Sequence, residues 1–308
     1  KKLTIDNKQT FDHVKISNTI IFLLVQSANQ KTIDLLRNDK IIFAFSGGID
    51  SFSSVIILND IFNEKVEFVL INTFFSKQSP DCIQAKLNYR DLKAKMRRKI
   101  TFVENFVSSR QINQNISLIK KLVRSNNIMD INIGIVHFFT SKVASQYGKV
   151  IFTGNGADEL FLGYSKYFDH QENGPTTFNY NYFVEKLINI QKDNVFRDDS
   201  IFSRNQVEMR SIFLDNVLFL YFFTLLNDLQ NILGFEIEDD EITTRDIHLV
   251  AKIAMAEVLS DGIENKKTLR KFLTAKGYPN QAHIKKKAMQ FGTGLKTIEK
   301  EIFYGSLK

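Results

Sequence analysis

The segment Lys40-Ile-Ile-Phe-Ala-Phe45 is a short, unbroken apolar run closed by Gly47-Gly48. That pattern predicts a strand buried on both faces, because a strand with one wet face alternates apolar and polar positions instead. Three further runs share this character: Val66 to Asn72, Ile100 to Val103 and Lys149 to Thr153. The stretches between them are long enough for helices, so strand and helix alternate. The prediction is an α/β fold: a doubly wound parallel sheet with right-handed crossovers and ligands at the carboxyl ends of the strands. Ahead of the first strand, Ser17 to Leu36 carries apolar positions at helical spacing and ends in the turn residues Arg37-Asn38-Asp39. Beyond Gly163 the texture changes. Helices are predicted over Tyr182 to Ile190, Leu214 to Leu233, Ile247 to Leu259 and Ala282 to Ile302, with no clear strand run among them. Asp169 to Tyr180, which holds Gly174-Pro175, is expected to be a loop. The chain therefore divides into a helical lead-in (1–38), a sheet-containing core (39–165) and a mostly α-helical C-terminal part (166–308).

Composition narrows the function classes. With 308 residues and 44% hydrophobic content the chain can bury a full core. Its longest apolar runs, Ile20 to Val25 and Val217 to Leu226, fall short of the roughly 20 residues a membrane-spanning helix needs, so no membrane span is expected. The single cysteine, Cys82, excludes a disulfide framework and lies between Asp81 and Ile83 with no nucleophile context. An intracellular setting is expected, the cytoplasm first, with the mitochondrion left open because the chain starts at Lys1 and a leader or an upstream glutaminase-like domain could precede it. The formal charge of +7 allows a protein or nucleic-acid-containing assembly as partner, but lysines scattered along a Pro-poor chain fit compositional bias equally well. The five histidines, at 13, 137, 170, 248 and 283, have no metal-ligand spacing and are expected to be structural or exposed.

The first strand runs into Ser46-Gly47-Gly48-Ile49-Asp50-Ser51, and an apolar helix is predicted from Phe52 onward. Two glycines let the backbone turn tightly and lay bare N–H groups against an anion, and the helix offers the positive end of its dipole. Ser46 and Ser51 add hydroxyl donors. Asp50 would repel a phosphate unless a divalent cation stood between them, which implies Mg²⁺. No lysine follows the glycines, so this is not the nucleotide loop of kinases and motor ATPases.

The hexapeptide resembles the Ser-Gly-Gly-x-Asp-Ser loop of the ATP-pyrophosphatase superfamily, which holds pyrophosphate while AMP is transferred to a substrate. A second segment, Thr153-Gly-Asn-Gly-Ala-Asp-Glu-Leu-Phe-Leu-Gly-Tyr164, follows the fourth predicted strand and is similar to the Gly-x-Gly-[Ser/Ala]-Asp-Glu-x-x-x-Gly-Tyr segment of asparagine synthetase synthase domains. A third, Arg197-Asp-Asp with Glu208-Met-Arg210 and Phe213-Leu-Asp215, resembles that family's Arg-x-Asp…Glu-x-Arg-x-Pro-Phe-Leu-Asp pattern, with Ile212 in place of the proline. A fourth, Lys285 to Gly294, resembles its C-terminal lysine loop. Together they cover roughly Lys40 to Lys300.

The resemblance implies a sheet of the adenine nucleotide alpha hydrolase type that binds ATP and Mg²⁺. It implies a nucleotide site at Phe45, Ser46, Gly47, Gly48, Asp50, Ser51, Ile71, Thr153, Gly154 and Gly156, with Asp50 and Asp158 sharing the metal. Lys286 or Lys287, in a register left open by one residue, and Glu208 are the implied catalytic groups. The implied activity is adenylation of a carboxylate, aspartate by default, with release of pyrophosphate, followed by attack of an amine or ammonia. Asn155 departs from the pattern. True asparagine synthetases carry glutamate there, and asparagine cannot act as a general base. Asn155→Glu is accordingly expected to raise amide formation. The alternative is a catalytically degenerate relative, binding nucleotide as a structural subunit of a larger assembly.

Overall fold

The computed structural model describes residues 13–169, 177–222, 265–284 and 289–303. Four strands fall where the apolar runs lie: β1 (Lys40–Ala44), β2 (Glu67–Phe74), β3 (Ile100–Phe106) and β4 (Val150–Phe152). The helices between them are α2 (Ile49–Ile61), α3 (Pro80–Lys95), α4 (Ser109–Val123) and α5 (Ile128–Ala144), and α1 (His13–Gln30) precedes the sheet. The predicted first helix stops earlier than Leu36: the chain tightens into a single 3-10 turn at Ile33–Leu35, and Thr32 Oγ1 turns back to donate to the carbonyl of Ala28 at 2.8 Å. The helix after the glycines starts at Ile49, three residues before Phe52, so Asp50 and Ser51 belong to its first turn.

A fifth strand overturns the expectation that nothing beyond Gly163 joins the sheet. Glu208–Arg210 pairs parallel with β4, Val150 opposite Glu208 and Phe152 opposite Arg210. It is β7, since a two-residue antiparallel pair, β5 (Phe168–Asp169) with β6 (Thr177–Phe178), precedes it and trims the predicted loop at both ends. The sheet order is β3-β2-β1-β4-β7, every neighbour parallel. The chain first winds outward from β1 through β2 to β3, then returns to lay β4 and β7 on the other side. The order therefore reverses between β1 and β4, the crevice where open α/β sheets bind ligands.

Alternate residues of each strand feed different cores, as two covered faces require. Ile41, Phe43, Phe68, Leu70 and Phe152 pack with α1 and α2, while Ile42, Val69, Ile71 and Ile151 pack with the C-terminal end of α5 and with Phe202 of α8 (Phe196–Arg204). The helix α7 (Tyr180–Ile190) starts two residues before its predicted span and ends with it, then runs through a π-turn, Gln191–Val195, directly into α8. Of the helix predicted from Leu214, residues 216–222 are described and helical; the rest of it and Ile247 to Leu259 lie outside the described residues. Two helices, α9 (Lys267–Ala275) and α10 (Pro279–Ala282), come before the stretch predicted as one helix from Ala282 to Ile302, whose described residues are instead the end of α10, then α11 (Met289–Gly292) and α12 (Leu295–Phe303). Gly294, with φ +78°, makes the break between the last two; such a backbone angle costs glycine nothing and most other residues a good deal. No helix of the described residues is long and apolar enough to cross a membrane.

Candidate functional site

The crevice between β1 and β4 is floored by two glycine-rich turns pressed against each other. A Cβ at Gly154 would stand 2.8 Å from the Cβ of Asp50 and 3.2 Å from the Ser51 nitrogen, so only glycine lets the second motif approach the first this closely. Gly47 has φ +79° and lies so near the backbone of Ala85 in α3 that a Cβ would meet the Ala85 nitrogen at 2.6 Å. Gly156, with φ +90°, caps the short helix α6 (Ala157–Leu160), which carries Asp158. Within the first loop, the Gly48 N–H donates to Ser46 Oγ at 3.2 Å, the Ser46 and Ser51 hydroxyls lie 3.3 Å apart, and Ser51 Oγ donates to the Gly48 carbonyl at 3.1 Å. Hydroxyls, backbone N–H groups and the N-terminus of the thirteen-residue α2 thus converge, a donor set suited to a polyphosphate.

Asp50 and Asp158 are brought together by a residue that sequence reasoning missed. Lys266, at the N-terminus of α9, places Nζ 2.5 and 2.6 Å from the two carboxylate oxygens of Asp50 and 2.6 Å from Oδ1 of Asp158. Its side chain is 1% exposed, and those of Asp50 and Asp158 are 22% and 23% exposed. Burial by itself would depress the Lys266 pKa; Asp158 and Asp50 outweigh it, and the pKa is raised. Its backbone is left-handed, φ 63°, and its N–H donates to the carbonyl of Phe161 at 3.0 Å, tying α9 to the end of α6, the helix that carries Asp158. The two carboxylates hence already share one cation. Among the described residues no third His, Cys, Asp or Glu completes a ligand group. Two carboxylates fit Mg²⁺ bound together with nucleotide phosphates, because that ion retains few protein ligands and takes phosphate oxygens readily.

The remaining candidates separate. Thr153 is buried, and the Asn155 N–H donates to its Oγ1 at 3.5 Å beside the second turn. Phe45 follows the end of β1 and Ile71 lies within β2; both side chains are buried, the Phe45 N–H donates to the Ile71 carbonyl at 2.8 Å, and the Phe45 carbonyl accepts from Asn72 Nδ2 at 2.9 Å. Glu208 does not join the site. It opens β7, at the end of the sheet away from the glycine turns, exposed and paired at 2.7 Å with Arg210, which also bridges to Asp34 at 2.6 Å. Lys285, Lys286 and Lys287 lie outside the described residues, as do His170 and His248. Cys82 is fully buried, and that burial raises its thiol pKa.

Asn155 has a partner that the sequence did not announce. Its Nδ2 donates to Asp198 Oδ2 at 2.7 Å, and its carbonyl accepts from Ser211 Oγ at 2.6 Å. Asp198 is buried and also meets Arg197 Nε at 2.8 Å and His137 Nδ1 at 3.0 Å; Arg197 continues to Asp130 at 3.1 Å. Burial would raise the Asp198 pKa, but His137 and Arg197 prevail and hold the carboxyl below the ordinary carboxylate range. A lowered folded-state pKa contributes stability that is complete above the unfolded value and is lost as pH falls through the folded one. Thermal unfolding followed against pH should therefore show an acid limb that Asp198→Asn flattens; an unchanged limb would assign the acid sensitivity elsewhere.

Residues 34–181 match the family model described as asparagine synthase. The protein that carries the name asparagine synthetase (glutamine-hydrolyzing) 1 in Methanocaldococcus jannaschii is 31% identical over 58% of this chain and 31% of its own length. Asparagine synthetase domain-containing protein 1 of Homo sapiens is 28% identical over 72% of this chain and 33% of its own. Among solved structures, a tRNA thiolase from Methanococcus maripaludis aligns with 96% of this chain and 89% of its own at 14% identity and a TM-score of 0.39. The matched residues hold the glycine-rich turns and both carboxylates at the switch point of the parallel sheet. Residues 34–181 are thus an asparagine synthase domain of the ATP-pyrophosphatase class. The chain spans about a third of the length of the curated relatives it matches.

Proposed function

We propose that this chain is the ATP-using part of a carbon–nitrogen ligase, one that adenylates a carboxylate, aspartate by default from the names of its relatives. The observation that carries this reading is the convergence of Asp50 and Asp158 on one cation position beside the Ser-Gly-Gly turn. An oxygen of the substrate carboxylate attacks the α-phosphorus of ATP, the bond to the β-phosphate oxygen breaks, and pyrophosphate leaves. An amine or ammonia then attacks the acyl carbon and AMP departs with the bonding pair. The Gly47-Gly48 backbone, both serine hydroxyls and the N-terminus of α2 hold the pyrophosphate oxygens, and Lys266 adds a buried positive charge. Asp50 and Asp158 would hold Mg²⁺, which supplies charge neutralisation at the phosphates when bound. Lys286 or Lys287 is the group we assign to the developing charge at the adenylate. Catalysis here consists of positioning and fixed electrostatics.

A second reading keeps nucleotide binding and drops turnover. What favours it is Asn155, whose amide is engaged by Asp198 and offers no base for the incoming amine. The two are separated by exchange of labelled pyrophosphate into ATP in the presence of Mg²⁺ and a panel of carboxylic acids. The ligase reading expects exchange that depends on the acid supplied. ATP binding with no exchange for any acid would leave the structural-subunit reading standing.

A further inference from the structure

The phosphate turn is held from behind by a side chain no motif contains. Asn88 lies on α3, one turn after Ala85, against which Gly47 is packed; it is 1% exposed and its Nδ2 donates to the Gly47 carbonyl at 2.6 Å. That carbonyl shares a trans peptide unit with the Gly48 N–H, so the two point in opposite directions. With the carbonyl drawn back onto α3, the N–H is aimed at the side where the Ser46 and Ser51 hydroxyls gather. A peptide between two glycines is the easiest in any chain to turn over. Turned over, it would present a carbonyl oxygen to the phosphates and repel them.

The direction of the Asn88 amide is itself fixed. Its Oδ1 accepts from Gln84 Nε2 at 3.0 Å and from Gln281 Nε2 at 3.3 Å, and the same Gln281 Nε2 donates to Asp91. The Asp91 carboxylate can only accept when ionised, so Gln281 must present its nitrogen; Asn88 must then present its oxygen to Gln281 and its nitrogen to Gly47. Gln281 is 3% exposed and belongs to α10, a few residues ahead of Lys285. We propose that Asn88 is a positioning residue for pyrophosphate, locking the Gly47–Gly48 peptide with its N–H toward the ligand. Gln281 sets the orientation of that lock from the C-terminal lobe. The coupling makes anion binding at the turn depend on α10 being docked.

This inference rests on the proposed function, and its test separates the two. Affinities of the full chain for Mg-pyrophosphate and for adenosine are measured by calorimetry in the wild type, Asn88→Leu and Gln281→Leu. Leucine matches asparagine in size and carries no charge of its own to repel the anion. The turn grips only pyrophosphate, so Asn88→Leu should weaken that ligand about tenfold or more, the loss expected for a fixed hydrogen bond to a charged group, and leave adenosine unchanged. Gln281→Leu should shift pyrophosphate alone in the same direction and by less, and it serves as the sole variant if Asn88→Leu does not fold. Pyrophosphate affinity equal to the wild type, or loss of both ligands together, would overturn the positioning role. A wild type that binds adenosine and no pyrophosphate would overturn the functional reading and this inference with it.

Discussion

Lys266→Ala should lower the stability of the protein by about 3 kcal/mol in the absence of divalent cations, the lower end of the range for breaking a buried ion pair by deleting one partner. The lower end applies because the two carboxylates left behind, at 22% and 23% side-chain exposure, retain some contact with water. What remains is two negative groups facing one gap. Millimolar Mg²⁺ should therefore raise the unfolding temperature of the variant well beyond any rise it gives the wild type, where the ammonium already occupies the position between the acids. The measurement is thermal unfolding of both proteins with and without MgCl₂. Equal Mg²⁺ shifts would mean that the two carboxylates do not share a cation site. The same substitution should weaken Mg-ATP binding, because a positive charge is lost beside the phosphates.

Asn155→Glu should destabilise the fold. On the sequence alone this substitution restores a family feature and is expected to raise amide formation, but the structure places a buried carboxylate against it. Asn155 donates to Asp198 at 2.7 Å, and a glutamate would replace that donor with a second anion. The Arg197 guanidinium cannot readily serve both, since it is already committed to Asp198, as is the His137 ring. A cost on the order of 3 kcal/mol is expected near neutral pH, comparable to leaving a buried charge uncompensated. The sign of its pH dependence follows from the like charge. The pKa of the introduced glutamate is raised in the folded state, so the penalty is largest above that value and fades as pH falls below it. Asn155→Gln, neutral and of the same length as the glutamate, serves as the control. Unfolding midpoints for the two variants should converge on acidification; parallel curves would show that the introduced carboxylate escapes Asp198. Any gain in amide formation should appear only when Asp198→Asn accompanies Asn155→Glu.

The strands were legible because a parallel sheet covered on both sides demands continuous apolar runs, and Lys40 to Phe45 or Val66 to Asn72 can hardly be anything else. The strand Glu208-Met-Arg210 has no such run. Its three residues are held in the sheet by the ladder to β4 and by Arg210 reaching Asp34 and the Lys31 carbonyl, contacts made across the chain that no local pattern reports. For the same reason Glu208 could be read as catalytic from its motif and prove to be a surface group. The glycine turns were legible since their chemistry is local. Lys266 was not: Glu264-Asn265-Lys266-Lys267 looks like a solvated charge run, and the burial of one lysine depends on a left-handed backbone and on where α9 docks. The only advance signal was the pair Asp50 and Asp158, which require a cation between them. In the tail, Gly292 and Gly294 were a visible warning that Ala282 to Ile302 would not run as one helix.

Asp50, Asp158 and Lys266 come from three distant stretches of chain, the first and last separated by 216 positions, and β7 reaches β4 only after a long excursion. Contacts of such high sequence separation form late in folding, because loop-closure entropy must be met before they return any energy. The central strands and their crossover helices can therefore assemble before Lys266 joins the two carboxylates. In a refolding experiment, recovery of secondary structure should precede recovery of Mg-ATP binding, and the slow phase should belong to the docking of α9 onto the carboxylates. During synthesis on the ribosome, the ligand site would be completed only once Lys266 has emerged, so the nascent chain passes through a stage with a formed sheet and an open, anionic crevice.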